Sequence, residues 1–217
     1  MRRHPYGRNG EHAPQNNTRA ITAVLPTLAD EGTPTVNHAN EAERTCVGFL
    51  SVLRVEEEGY LGGYLVLDRH GHPLSFHFTE PVLPNRVQQI LYGAQLEPYL
   101  LGRRIGAVLV EKGRPRPGLV LTDRQSVLAA AQVVDVPLAW VMPPEEAPRA
   151  AQAPEAEPPR QEKNVLAFRR WHLLPAEANS TPPERLLHLL EQLDPALELD
   201  EPFQRIALAL EEARRAA

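Results

Sequence analysis

The stretch Leu119-Val120-Leu121-Thr122-Asp123-Arg124-Gln125-Ser126-Val127-Leu128 decides how this chain folds. Its apolar start is typical of a short buried strand, and residues 125–134 then follow helical spacing. A second apolar run at residues 137–142 completes the order strand, helix, strand. This order predicts a parallel βαβ unit with a right-handed crossover.

The region before this unit predicts three strands and a long helical stretch. Apolar runs at 46–55, 60–68 and 74–79 are separated by turn sequences that contain Gly59 and Gly71. Helical periodicity then extends over 85–112, with Asn85 as the N-cap and a break at Gly93 and Pro98. We therefore expect an α/β fold whose mixed sheet begins with a three-stranded antiparallel meander.

Composition divides the chain into four parts. The 22 prolines concentrate in two places, which predicts a disordered arm over residues 1–40 and a Pro/Ala/Glu-rich linker over 143–163. The core domain then takes residues 41–142, and residues 164–217 form a C-terminal docking segment with a helical hairpin.

Two amphipathic helices make up this predicted hairpin. Thr181 and Glu184 have the spacing of a capping box, and Asp200 precedes the second helix as its cap. Two short helices leave an apolar side uncovered, so the hairpin must pack on the core or on a partner protein. The candidate partner-binding residues are Phe168, Trp171, Leu186, Leu190, Phe203, Ile206 and Leu210.

Charge and cysteine content restrict the environment of the protein. The net charge of −5 argues against a general polyanion binder, so nucleic acid is only a weakly supported partner. Cys46 is the only cysteine, which excludes an internal disulfide and suits a reducing compartment. No apolar run is long enough to span a membrane. We expect a cytoplasmic protein with no membrane partner.

The order of elements and the Thr122-Asp123 pair at a strand end resemble the ribonuclease H-like superfamily. In that family the aspartate binds a divalent metal, so the resemblance implies Asp123 as a ligand. The family also places an Asp on the first strand and a Glu early in the first helix. Here residues 46–55 contain no acid, and the helix carries Gln88 and Gln89. The resemblance therefore implies the fold with most of the catalytic acids missing.

The core is also similar to bacterial proteins that share two further sequence motifs. These are Gly62-Gly63-Tyr64-Leu65-Val66-Leu67 and Asn85-Arg86-Val87-Gln88-Gln89-Ile90-Leu91-Tyr92-Gly93. No activity follows from this similarity.

Each candidate site residue has a structural and a functional interpretation. Asp123 is a helix N-cap or a metal ligand, and the sequence favours the cap. Glu97 and Glu80 would complete a catalytic set only if folding brought them to Asp123. His70, His72 and His77 are better explained by a turn and a strand face than by a metal site.

An anion-binding patch is the remaining candidate. It would comprise Arg103, Arg104, Lys112, Arg114 and Arg116.

Two functions follow from these observations. The sequence favours a non-catalytic interaction or scaffold protein, without metal or cofactor, that binds a protein partner through its tails. The alternative is a metal-dependent phosphodiesterase or nuclease of ribonuclease H-like type, with a rearranged site at Asp123, Glu97 and Glu80. Convergence of these carboxylates would distinguish the two.

Overall fold

The computed structural model describes residues 20–23, 46–144, 164–178 and 181–216. These residues form one mixed sheet of eight strands in the order β1-β4-β3-β2-β5-β6-β8-β7. The strands are β1 (Ala20–Ala23), β2 (Val47–Val55), β3 (Gly59–Leu67), β4 (Pro73–Thr79), β5 (Leu119–Thr122), β6 (Leu138–Met142), β7 (Leu166–Phe168) and β8 (Trp171–Pro175).

The predicted meander and the parallel unit meet at the centre of the sheet. Strands β2, β3 and β4 pair antiparallel, whereas β2 pairs parallel with β5 and β5 pairs parallel with β6. Strand β8 then adds antiparallel to β6. The mixed α/β sheet and its βαβ unit are therefore confirmed.

Helices cover both faces of the sheet. They are α1 (Arg86–Tyr92), a 3₁₀ turn (Gly93–Gln95), a π-helical segment (Pro98–Gly106), α2 (Ala107–Lys112), a 3₁₀ helix (Gln125–Gln132), α3 (Pro183–Glu191) and α4 (Glu201–Arg215). The π-helical segment, α2 and the 3₁₀ helix pack on one face, and α3 and α4 pack on the other. None of the helices in the described ranges is long and apolar enough to cross a membrane.

Helix α1 begins and ends where the sequence predicts. The Asn85 side chain accepts a hydrogen bond from the Gln88 backbone amide, and the Gln88 side chain accepts one from the Asn85 amide. The regular helix stops at Gly93, which has a φ of 50°, and the π-helical segment starts at Pro98. Both predicted interruptions of the helical stretch are thus present.

Two adjacent glycines let helices approach β3 from both faces. A Cβ atom on Gly62 would lie 2.2 Å from Cγ2 of Ile105, and one on Gly63 would lie 2.5 Å from Cγ2 of Ile206. Side chains at these positions would overlap the helices. This is the close packing that a glycine pair inside a strand indicates.

The segment after residue 163 is part of the core. Strands β7 and β8 extend the sheet, and Phe203 of α4 meets Phe49 of β2 edge to face, with ring centroids 5.5 Å apart. Arg169, between β7 and β8, donates hydrogen bonds to backbone carbonyls from Leu193 to Leu197. The helical hairpin therefore packs on its own sheet, which is one of the two positions that the sequence left open.

Two predicted caps are wrong. Helix α3 starts after Pro182 without a side-chain cap, so Thr181 and Glu184 form no capping box. Asp200 occupies the N-cap position of α4, but its side chain makes no capping hydrogen bond. It accepts a bond from the Gln204 side chain and pairs with Arg170.

Most of the predicted arm at 1–40 and of the linker at 143–163 lies outside the described residues. Within the arm, Ala20–Ala23 forms the edge strand β1 beside β4.

Candidate functional site

The carboxyl ends of three parallel strands meet at one edge of the sheet. Strands β2, β5 and β6 all run toward this edge, where Asp123 follows β5 directly. In open α/β sheets, ligands bind in the crevice outside the carboxyl ends of the strands. Side chains at this edge are therefore the first candidates for a site.

Asp123 is held by a serine of the neighbouring strand. The Ser51 hydroxyl donates a hydrogen bond of 2.9 Å to Oδ2 of Asp123. Leu50 pairs with Thr122 in the register of β2 and β5, so the residues that follow them, Ser51 and Asp123, lie side by side. Both side chains lie on the face that carries α4, because Phe49 and Leu121 of the same strands pack there.

The second oxygen of Asp123 is buried and accepts no hydrogen bond in the described part of the chain. Burial raises the pKa of the Asp123 carboxyl, and the hydrogen bond from Ser51 and the charge of Arg124 oppose this shift only in part. The group is therefore protonated to a higher pH than an exposed aspartate.

The cap interpretation of Asp123 is wrong. The 3₁₀ helix that follows begins after Arg124, and no side chain caps it. The Arg124 amide instead donates to the hydroxyl of Thr122, at 3.2 Å. Asp123 is thus free of the local backbone role that the sequence assigned to it.

A cleft of about 450 Å³ borders Asp123. Its wall is partly apolar, with Trp171 and Phe203, and partly charged, with Arg170 and Asp200. The remaining lining residues are Val141, Met142, Pro143 and Pro144. An acid, a cation and aromatic surface therefore share one concave site, as ligand sites commonly do.

Arg170 supplies the positive charge of the cleft. Its guanidinium lies 4.8 Å from the centre of the Trp171 ring, 3.1 Å from Glu198 and 3.8 Å from Asp200. The side chain is 62% exposed, so these ion pairs are weak and an anion can compete for it.

The acids expected to complete a metal site do not join Asp123. Glu97 is exposed and accepts a hydrogen bond from Ser126, and Glu80 is exposed at the end of β4. Gln89 of α1 is also exposed, and the half-buried Gln88 is engaged in the cap of α1. Within the described ranges, no three His, Cys, Asp or Glu side chains are grouped to hold a metal ion. The two-metal chemistry of the family does not fit these residues, so we derive no step through a metal.

The histidines occupy separate environments. His72 pairs with Asp68 in the turn, with Nδ1 3.1 Å from the carboxylate, and His70 lies beside it. His77 is buried in β4, where burial and then the charge of Arg114 lower its pKa. The interpretation of these residues as a turn and a strand face agrees with this arrangement.

The proposed anion patch spreads along the helices. Arg114 donates to the carbonyls of Glu111 and Gly113 at the end of α2, and Arg116 lines a different cavity. The charges of Arg103 and Arg104 interact with the Tyr92 hydroxyl, which lies earlier in the helical stretch. Lys112 is exposed at the last position of α2. Anion binding by these cations stays a prediction.

The residues assigned to partner binding lie in the core of the protein. Each is at most 8% exposed and packs in the cluster under α3 and α4: Phe168, Trp171, Leu186, Leu190, Phe203, Ile206 and Leu210. Their apolar stripes cover the sheet itself, which the sequence could not distinguish from covering another chain.

Three residues of the site escaped the sequence analysis. Ser51 carries no signal in a strand, Arg170 stands among many surface arginines, and Asp200 was assigned to a helix cap. The contact between Ser51 and Asp123 depends on the parallel register of β2 and β5, which the sequence analysis did not predict.

Comparisons with known proteins bear on the fold. No protein-family model matches the sequence, and a search of curated proteins finds no match. Among solved structures, the crystal structure of human ENDOV matches with a TM-score of 0.46 and 17% identity. The match covers 80% of this chain and 87% of that chain. The described residues themselves show a mixed α/β sheet with helices on both faces.

The expectation of a non-catalytic scaffold with partner-binding tails is corrected here. The C-terminal residues that were to bind the partner are buried in the core of the chain, so they do not form a surface for another protein.

Proposed function

We propose that the chain is a phosphodiesterase or nuclease of ribonuclease H-like type, with a rearranged site centred on Asp123. One observation carries the proposal. A buried carboxylate oxygen of Asp123 has no hydrogen-bond partner among the described residues, and Asp123 lines a cleft at the carboxyl edge of the parallel strands. Perturbed carboxyls in such clefts are typical of catalytic sites.

The charges of the cleft suit a phosphodiester substrate. Arg170 provides a cation for the phosphate, and its exposed guanidinium is accessible to solvent. Trp171 is mostly buried under Arg170, so it supports the guanidinium. The apolar lining next to them accommodates the organic part of the substrate.

Asp123 acts as a general acid in this proposal. Water attacks phosphorus and forms a new P–O bond while the P–O bond to the leaving group breaks. The protonated carboxyl donates its proton to the leaving oxygen, and the proton lost by the water goes to solvent. The carboxylate then regains a proton from solvent. The raised pKa of Asp123 supports this role, because a larger fraction of the group carries the proton near neutral pH.

The test is hydrolysis of bis(p-nitrophenyl) phosphate and of single- and double-stranded oligonucleotides by the full chain. Asp123→Asn should reduce the rate at least about 100-fold, the usual contribution of a general acid. Glu97→Gln is the matched control, because Glu97 is exposed and does not line the cleft. Equal activity of the wild type and Asp123→Asn would refute the proposal, as would no turnover of any of these substrates.

A further inference from the structure

Ser51 is a buried polar residue on an otherwise apolar strand face. It is 1% exposed, and Val47 and Phe49 on the same face of β2 belong to the core. Its hydroxyl donates a hydrogen bond of 2.9 Å to Oδ2 of Asp123. A hydroxyl in this place needs a polar partner, and Asp123 is that partner.

We infer that Ser51 is a positioning residue standing where a second carboxylate would complete a cation site, so that the cleft works with a single acid and holds no divalent metal. The role of Ser51 in catalysis rests on the proposed function. The main readout of the inference is ion binding, which does not depend on hydrolysis.

Charge balance supports this assignment. Two buried carboxylates at hydrogen-bond distance repel each other unless a cation or a shared proton lies between them. A serine removes that need, because its neutral O–H donates to Oδ2 of Asp123, while Oδ1 accepts no hydrogen bond from the residues that the structure describes. One carboxylate also leaves most of the ligands of a magnesium or manganese ion to water, so in the absence of a substrate phosphate the ion would be held weakly.

The other acid of the cleft does not replace the missing one. Asp200 lies 3.8 Å from the Arg170 guanidinium, and a cation bound beside Arg170 would meet its positive charge. The hydrogen bond from Ser51 thus remains the described side-chain contact that fixes Asp123.

The experiment is a titration of the full chain with Mn²⁺, in which electron paramagnetic resonance measures the concentration of free ion. The wild type and Asp123→Asn should show no saturable binding up to about 1 mM, the weak end of protein cation sites. Ser51→Asp should bind Mn²⁺ at least about tenfold more tightly than the limit of about 1 mM set for the wild type, since it adds a carboxylate beside Asp123. The gain should disappear when Ser51→Asp is combined with Asp123→Asn. Ser75→Asp, a strand serine without a described carboxylate contact, should show no gain.

Mn²⁺ should raise the Tm of Ser51→Asp and should leave the Tm of the wild type unchanged. Saturable binding by the wild type that Asp123→Asn abolishes would overturn the inference, and this comparison stands even if Ser51→Asp does not fold. A folded Ser51→Asp that binds no better than the wild type would also overturn it.

Activity provides an independent check of the positioning role. The hydrogen bond from Ser51 lowers the pKa of Asp123, so Ser51→Ala should move the alkaline limb of the pH–rate profile to higher pH. An unmoved limb would contradict that role. If no hydrolysis is found at all, the proposed function fails while the Mn²⁺ titrations still decide the inference.

Discussion

Asp123 shows how one residue depends on its neighbours. The carboxyl is mostly buried, receives one hydrogen bond from Ser51 and leaves its other oxygen without a partner in the described chain. Burial favours the neutral form of a carboxylic acid, so folding strengthens proton binding at this site. The stability of the protein must then depend on the pH at which Asp123 ionises.

We expect Asp123→Asn to change this dependence. A carboxyl whose pKa is raised by folding contributes stability below its unfolded pKa, and this contribution is lost as the pH rises through the folded pKa. The wild type should therefore lose stability relative to Asp123→Asn between acid and neutral pH. The stability of the variant relative to the wild type should therefore be higher at pH 7 than at pH 4. Urea unfolding from pH 4 to pH 8 measures the difference, and parallel curves would contradict the raised pKa.

Among the elements of the fold, β3 is the strand against which helices pack closely on both faces of the sheet. Gly62 and Gly63 leave room for Ile105 on one face and for Ile206 on the other. Side chains of successive strand residues point to opposite faces, so a glycine pair opens both layers at the same level. The helices approach the sheet as closely as they do because these two side chains are missing.

Gly63→Ala should destabilise the protein by about 1–3 kcal/mol, because its methyl group would overlap Cγ2 of Ile206. The cost should be smaller in an Ile206→Ala background, where that atom is absent. A double-mutant cycle in urea measures the coupling. Additive effects of the two substitutions would show that the contact does not limit the packing.

Strands β2 to β6 and the α1 cap could be predicted because their signals are local. Asn85 and Gln88 satisfy each other within one turn, and the alternation of Leu74, Phe76 and Phe78 marks one strand. The pairing of Ser51 with Asp123 spans 72 residues and depends on the register of two parallel strands. Asp123 was misassigned because Thr122 accepts the bond from the Arg124 amide, a competition that sequence spacing does not reveal.

At the scale of the whole molecule, the C-terminal hairpin completes the core. Leu186 and Leu190 of α3 and Ile206 and Leu210 of α4 are buried in the cluster that also contains Phe49 of the central strand. Arg169, between β7 and β8, donates hydrogen bonds to four backbone carbonyls after α3, those of Leu193, Asp194, Pro195 and Leu197. The sheet and the hairpin should therefore unfold together.

Leu190→Ala should lower the free energy of unfolding by about 2–5 kcal/mol, the cost of emptying a buried leucine site. Leu208→Ala on α4 is the matched control, since Leu208 is 68% exposed and should change stability by no more than about 0.5 kcal/mol. Calorimetry of the full chain measures both. Similar small effects of the two substitutions would mean that the hairpin does not pack on the sheet as described.

We propose that the Asp123 cleft hydrolyses phosphodiesters with Asp123 as its acid and without a divalent metal. The most direct measurement is the rate of phosphodiester hydrolysis by the wild type and by Asp123→Asn, each in excess EDTA. We predict that the wild-type rate persists in EDTA and that Asp123→Asn lowers it at least about 100-fold. A wild-type rate that EDTA abolishes and Mn²⁺ restores, or a rate that Asp123→Asn leaves unchanged, would contradict the account.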